Sequence, residues 1–208
     1  TRTTMQPNGL SASWEANDIL SLWAFSQSGE KILDNQQFKI YGIDGGYAYF
    51  TSVLHSQMPD GEYTYLCCYP QPLSVNGTEA AFRLPALQDG QASGGADIMV
   101  ASPAQSGPLT SVTSEGRDPS SLSMTMNRMM HQFRFYVPED DRLLGNEKIE
   151  SIIMNFPVPV VGNVTLDIAD PETQARLTDG VSEVQLDLKQ PIGYLRQIWG
   201  IHCVKIRA

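Results

Sequence analysis

The sequence predicts an all-β protein folded as an antiparallel β-sandwich. Three observations predict it. Short apolar runs and period-two alternation dominate, while helical periodicity is scarce. Turn-forming clusters such as "SQSGEK", "GIDGG", "SQMPDGE", "SVNGTE" and "PEDD" bound the runs. About eleven such runs follow one another with no helix between most of them, which favours a sandwich over an alternating α/β fold.

Taken in chain order, strands are expected at residues 19–25, 37–41, 47–54, 63–69, 80–84 and 96–101. Further strands are expected at 122–126, 131–137, 149–156, 162–168 and 183–188. The first, "ILSLWAF", follows the polar "EAND". In "YAYF" Tyr47 and Tyr49 share one face while Ala48 and Phe50 share the other. The turn "PDG" at 59–61 precedes "YTYLCCY": Pro59 presets φ, Asp60 bonds locally, and Gly61 takes the backbone angle that side chains resist. In "GGADIMVASP" the two glycines make a turn. Asp97 then leads in a strand from Ala96 to Ala101, its carboxylate expected on local backbone amides, and Ser102-Pro103 ends the pairing. In "HQFRFYV" Phe133, Phe135 and Val137 form the apolar face, with His131 at its edge. One short connector helix is expected in "DPETQARL", with Asp170 as cap, Pro171 at the first helical position and Glu172 at the positive end of the dipole. Residues 102–121 lack a strand pattern and read as an exposed loop rich in Ser, Gly and Pro.

Composition bounds the function. The 208 residues are 41% hydrophobic and 18% charged, with a net charge of −9. That balance opposes nucleic acid and anionic membranes, since no stripe of Lys and Arg is present. No apolar run reaches the length of a membrane span, and no signal-peptide core is present. The adjacent Cys67 and Cys68 point to opposite faces of a strand and cannot easily bridge each other. With Cys203, they read as free, buried thiols. The sequons at Asn76 and Asn163 are short enough to arise by chance.

A search for chemistry finds little. His55, His131 and His202 form no paired metal-binding spacing, and no Cys-x-x-Cys occurs. No GxSxG, GxGxxG or phosphate-loop pattern is present, so no catalytic residue, metal or cofactor is expected. Asp140-Asp141 and the pair Asp167 and Asp170 lack calcium-loop spacing and read as solvated turns. Two rival classes stay open at this stage. A carbohydrate-binding surface module would use Trp14, Trp23, Trp199 and the tyrosines of "YGIDGGYAYF" and "EYTYLCCYP". Against it stands the usual role of strand tyrosines in cross-strand packing. A hydrolase would need carboxylates that converge only in the fold.

Read together, "WEANDILSLWAF", "YFTSVLH", "YTYLCCYPQ", "FRLPALQDG", "ADIMVASP", "MNRMMHQFRFYV" and "IESIIMNFPVPVVGNVTLDI" resemble the fimbrillin-like family of Bacteroides-type bacteria. The order and spacing carry the likeness from about residue 14 to 190. The resemblance implies a transthyretin-like sandwich of Greek-key type and a fimbrial subunit or adhesin at the cell surface. It implies an outer-membrane location reached through a lipoprotein precursor, with the membrane touched only through that lipid anchor. Partners would be other fimbrial subunits or further copies, joined by strand exchange, and a host protein or glycan. Residues 1–13 would be a flexible amino-terminal segment, with Arg2 either a protease-trimming position or part of a disordered start. Residues 14–190 would be the amino-terminal sandwich. Residues 191–208 depart from the family, whose members continue into a second sandwich. Their apolar Ile198, Ile201, Val204 and Ile206 would serve as a last strand, as a donor strand, or as the stub of a second domain.

Overall fold

The computed structural model describes residues 4–5, 12–88, 96–110, 120–133, 135, 148–172, 174–192 and 201–204. Every regular element among them is a β-strand. A small antiparallel pair, β1 (Thr4–Met5) and β2 (Ala12–Ser13), precedes the main layers. The largest sheet is organised around β6 (Tyr63–Tyr69), flanked by β3 (Ile19–Ser26) on one side and β10 (Met99–Ala101) on the other. Beyond β3 come β4 (Lys31–Asp44) and the edge strand β5 (Tyr47–Thr51); beyond β10 comes β12 (Met126–Arg128). A short β11 (Ala104–Ser106) pairs with the first half of β6, completing seven strands.

Three smaller sheets form the facing layer. β16 (Arg176–Val181), β15 (Val161–Asp167), β8 (Glu79–Leu84) and β7 (Ser74–Asn76) lie side by side in that order. β14 (Ile149–Asn155) pairs with β17 (Glu183–Ile192), to which β9 (Leu87–Gln88) adds in parallel. β13 (Met130–Phe133) pairs with β18 (Ile201–Val204). All other pairings are antiparallel, as expected for a sandwich.

The core follows from the two-residue period of the strands. Trp23, Leu66, Cys68 and Val100 on the large sheet meet Phe82, Leu166, Leu186 and Ile201 from the facing layer, all buried. The opposite face of the large sheet is buried too. There Leu22, Ala24, Tyr63, Tyr65, Cys67 and Ala101 form a second cluster under Met58 and the partly buried Leu54, Leu109 and Leu122. A strand covered on both faces reads as a continuous apolar run, which is why "YTYLCCY" shows no alternation. Cys67 and Cys68 do face opposite ways, and all three cysteines are free and buried. The Oη of Tyr65 donates to the carbonyl of Gly107 at 2.7 Å, tying the covering segment to the sheet.

Three local expectations are corrected. Among the described residues of 170–177 there is no helix: Asp167 accepts from the amide of Ala169, Asp170 accepts from the amide of Glu172, and the chain enters β16 at Arg176. A two-turn helix nucleates at a loss, whereas β16 gains a ladder with β15. Within the expected loop 102–121, Ala104–Ser106 instead forms β11 against β6. In β13 the buried residue is Met130, while His131 and Phe133 are exposed. The neighbouring Met129 and Met130 both fill the core, and the Phe133 ring lies against Phe156 at 5.5 Å.

One glycine has a strict requirement. Gly162 interrupts the β15–β16 register at φ 150°, and a Cβ there would lie 2.8 Å from the carbonyl oxygen of Thr178. Backbone on that side leaves no room for any side chain.

Candidate functional site

Two neighbouring regions at one end of the large sheet concentrate its polar and aromatic side chains. The first lies where β3 and β10 begin beside the end of β6. Both strands are introduced by Asp-Ile, at Asp18-Ile19 and Asp97-Ile98, and both carboxylates are buried, 0% and 1% exposed. Asp18 accepts from the amide of Glu15 at 2.9 Å and from the Oη of Tyr69 at 2.9 Å. Burial pushes its carboxyl above the ordinary value, against the pull of those two hydrogen bonds, and the charge of Asp97 adds to the rise. Asp97 accepts from Nε and Nη2 of Arg128 at 2.9 and 3.2 Å, a forked ion pair. The sequence places the Asp97 carboxylate on local backbone amides; the structure adds an ion pair with a side chain on β12. Because β10 and β12 are adjacent, a guanidinium there reaches the carboxylate across the ladder, and sequence spacing of 31 residues hides it.

The arrangement is tight rather than open. Each carboxylate is held by named donors, and neither reaches solvent. A hydrolytic pair needs room for substrate and water between its carboxyl groups. Here the carboxylates fasten the starts of two strands.

The second region is the β4–β5 hairpin, which stands on the first. The amide of Ile40 donates to the carbonyl of Asp18 at 3.3 Å. Trp14 wedges beneath, its ring edge-on to Phe50 at 5.2 Å and to Tyr69 at 5.4 Å. The register pairs Lys39 with Thr51, Gly42 with Tyr49 and Asp44 with Tyr47, so these share one face. A bulge between Ile40 and Gly42 brings Tyr41 to the same side, its ring 6.1 Å from that of Tyr49. Tyr41, Tyr47 and Tyr49 are 69%, 74% and 46% exposed. Gly45, at φ 56°, makes the turn that closes the hairpin.

The aromatic candidates therefore separate. Tyr63, Tyr65 and Tyr69 are buried, as is Trp23; Trp14 is half-buried in packing; Trp199 lies outside the described residues. Among the described candidates, the tyrosines of "YGIDGGYAYF" are the ones that present rings to solvent. His55 is exposed, and the side chains of Asp167 and Asp170 are engaged with local backbone. Among the described residues, no group of three His, Cys, Asp or Glu side chains is placed to hold a metal ion. Asp140 and Asp141 lie outside the described residues, as do Arg2, Ile198 and Ile206. Of the expected exchange segment, Ile201 and Val204 sit on β18, buried in the main core and paired with Phe133 and Met130.

No family model matches the chain, and no curated protein matches it. Solved structures do. One is described as a "putative cell adhesion protein" from Bacteroides uniformis. It has a TM-score of 0.59 and 14% identity, over 91% of this chain and 67% of that one. Another, from Bacteroides ovatus and described in the same words, gives 0.54 and 12%, over 97% of this chain and 74% of that one. At such identities the likeness is one of fold.

Proposed function

We propose that this chain is a bacterial cell-surface adhesion protein, a fimbrial subunit or adhesin that assembles by protein contact and acts by binding and not by catalysis. Support comes from the shared fold with two structures described in terms of cell adhesion. Inaccessible carboxylates held by fixed donors favour a structural use of the chemistry that the chain contains. A surface role accords with the fimbrillin-like resemblance, which adds export as a lipoprotein precursor and residence at the outer membrane.

Assembly in this reading proceeds by strand addition, and the observation that carries it is β18. This four-residue strand has β13 as its ladder partner, and the amide of Val204 donates at 2.9 Å to the carbonyl of Val160, the residue before β15. It buries Ile201, Cys203 and Val204 in the main core. A strand of that kind is exchangeable: the same residues from another copy would fill the same groove, with main-chain bonds for affinity and side-chain pockets for register.

The test is to delete residues 194–208 and supply them as a synthetic peptide. The truncated chain is expected to unfold at a lower temperature or to change its solution mass, and to capture the peptide with recovery of stability. Solution mass and unfolding midpoint that both stay at the full-chain values would defeat the strand-addition reading.

A further inference from the structure

We propose that the exposed face of the β4–β5 hairpin is a carbohydrate-binding platform, built on Tyr41, Tyr47 and Tyr49 and taking a glycan chain. The proposal rests on the reading of the chain as an adhesion protein and names the chemistry of what it adheres to.

The composition of the face selects the ligand. Lys39, Tyr41, Asp44, Tyr47, Tyr49 and Thr51 lie on it, without one aliphatic side chain. The other face of the same hairpin carries Ile40, Ile43, Ala48 and Phe50. The core of a protein interface is depleted of charged side chains, whereas Lys39 and Asp44 stand among these rings. Nucleic acid is opposed by the net charge of −9. A sugar ring, by contrast, has one face of C–H bonds that stacks on an aromatic plane and a rim of hydroxyls that seeks charged and hydroxyl partners. Phenol rings with polar tips, alternating with Lys39, Asp44 and Thr51, offer both.

Geometry supports the same ligand. The rings of Tyr41 and Tyr49 are tilted 51° to each other, so they present a shallow, angled surface in place of a closed stack. Gly42 lies opposite Tyr49, and a Cβ there would meet the ring at 3.7 Å, so the glycine lets the ring lie close over the backbone. Tyr47 and Tyr49 stand two residues apart on one strand, about 7 Å, so an extended oligosaccharide meets successive rings. Below them Phe50, Trp14 and Tyr69 pack edge to face, giving the platform a fixed foundation.

The full chain is to be run by affinity electrophoresis through gels containing a neutral β-glucan, a galactomannan or gastric mucin. Retardation by at least one of these is expected. Tyr41→Ala and Tyr47→Ala should each weaken it about fivefold or more, Tyr47→Phe should keep most of it, and the unfolding midpoint should move by no more than about 1 °C. Absence of retardation by every probe, or retardation that survives the triple Tyr→Ala variant, overturns the platform. So does a change in sedimentation mass confined to the triple variant, which would make the face a contact between copies. Beads coated with the full chain, applied to mucin and to collagen surfaces, separate this proposal from the broader one. Adherence to neither surface defeats the adhesion reading; adherence to mucin indifferent to the tyrosines defeats only the platform.

Discussion

Where β3 and β10 flank β6, the sheet takes two carboxylates out of water; on the adjoining β4–β5 hairpin it leaves three phenols in it. The first region holds every charged oxygen against a donor: Asp18 against Tyr69 and the amide of Glu15, Asp97 against Arg128. The second spends its side chains on solvent and borrows rigidity from below, through Trp14 and the bond from Ile40 to Asp18. Burying polar groups is costly unless they are paired, and pairing them fixes geometry. The difference teaches a division of labour between a foundation that carries no exposed chemistry and a face that carries no structural burden.

The largest expected effect tests the foundation. Asp97→Ala should destabilise the protein by about 2–3 kcal/mol, less than the loss of a fully buried pair, because Arg128 keeps 35% of its side chain in solvent. Chemical denaturation measures it. A loss no larger than that of an ordinary surface change would break the comparison.

A second measurement asks whether Asp18 is as buried as it looks. Its folded carboxyl titrates above the ordinary 3.8, chiefly through burial, so the folded chain binds that proton more tightly than the unfolded one. The resulting stabilisation is full below the unfolded value and is lost as pH rises through the raised one. Denaturation at about pH 4 and about pH 7 should therefore show wild type gaining on Asp18→Asn as the solution is acidified. A stability difference that ignores pH would place Asp18 in water.

The smallest expected effect belongs to the hairpin face. Tyr47→Ala should change stability by no more than about 0.5 kcal/mol, as for a surface residue without a packing role. A larger cost would mean that the face is part of the foundation after all.

How far the sequence reveals these regions depends on range. The sandwich class is legible because strand periodicity is local, and so is the sharing of a face by Tyr47 and Tyr49. The opposite facing of Cys67 and Cys68 is legible on the same ground. Arg128 as the partner of Asp97 is not, since a ladder between β10 and β12 brings them together across an intervening excursion. Asp18 had a signal that could have found it: Asp-Ile introduces both β3 and β10, and two identical lead-ins to apolar strands point to a shared structural use. The bulge that turns Tyr41 toward Tyr49 adds one residue to one strand, and no residue type marks it in advance. The connector helix failed because Asp and Pro serve a turn as readily as a helix start, and tertiary pairing of β16 decided between them.

The three buried thiols carry a consequence for the chain's redox life. Only a thiolate attacks a disulfide or an oxidant. Burial pushes Cys67 up to about 12 and Cys203 up to about 11, and it raises Cys68 well above its ordinary value. At neutral pH the thiols are then held in the protonated form. Sealed in this way, the three thiols resist oxidation, and the fold uses no disulfide.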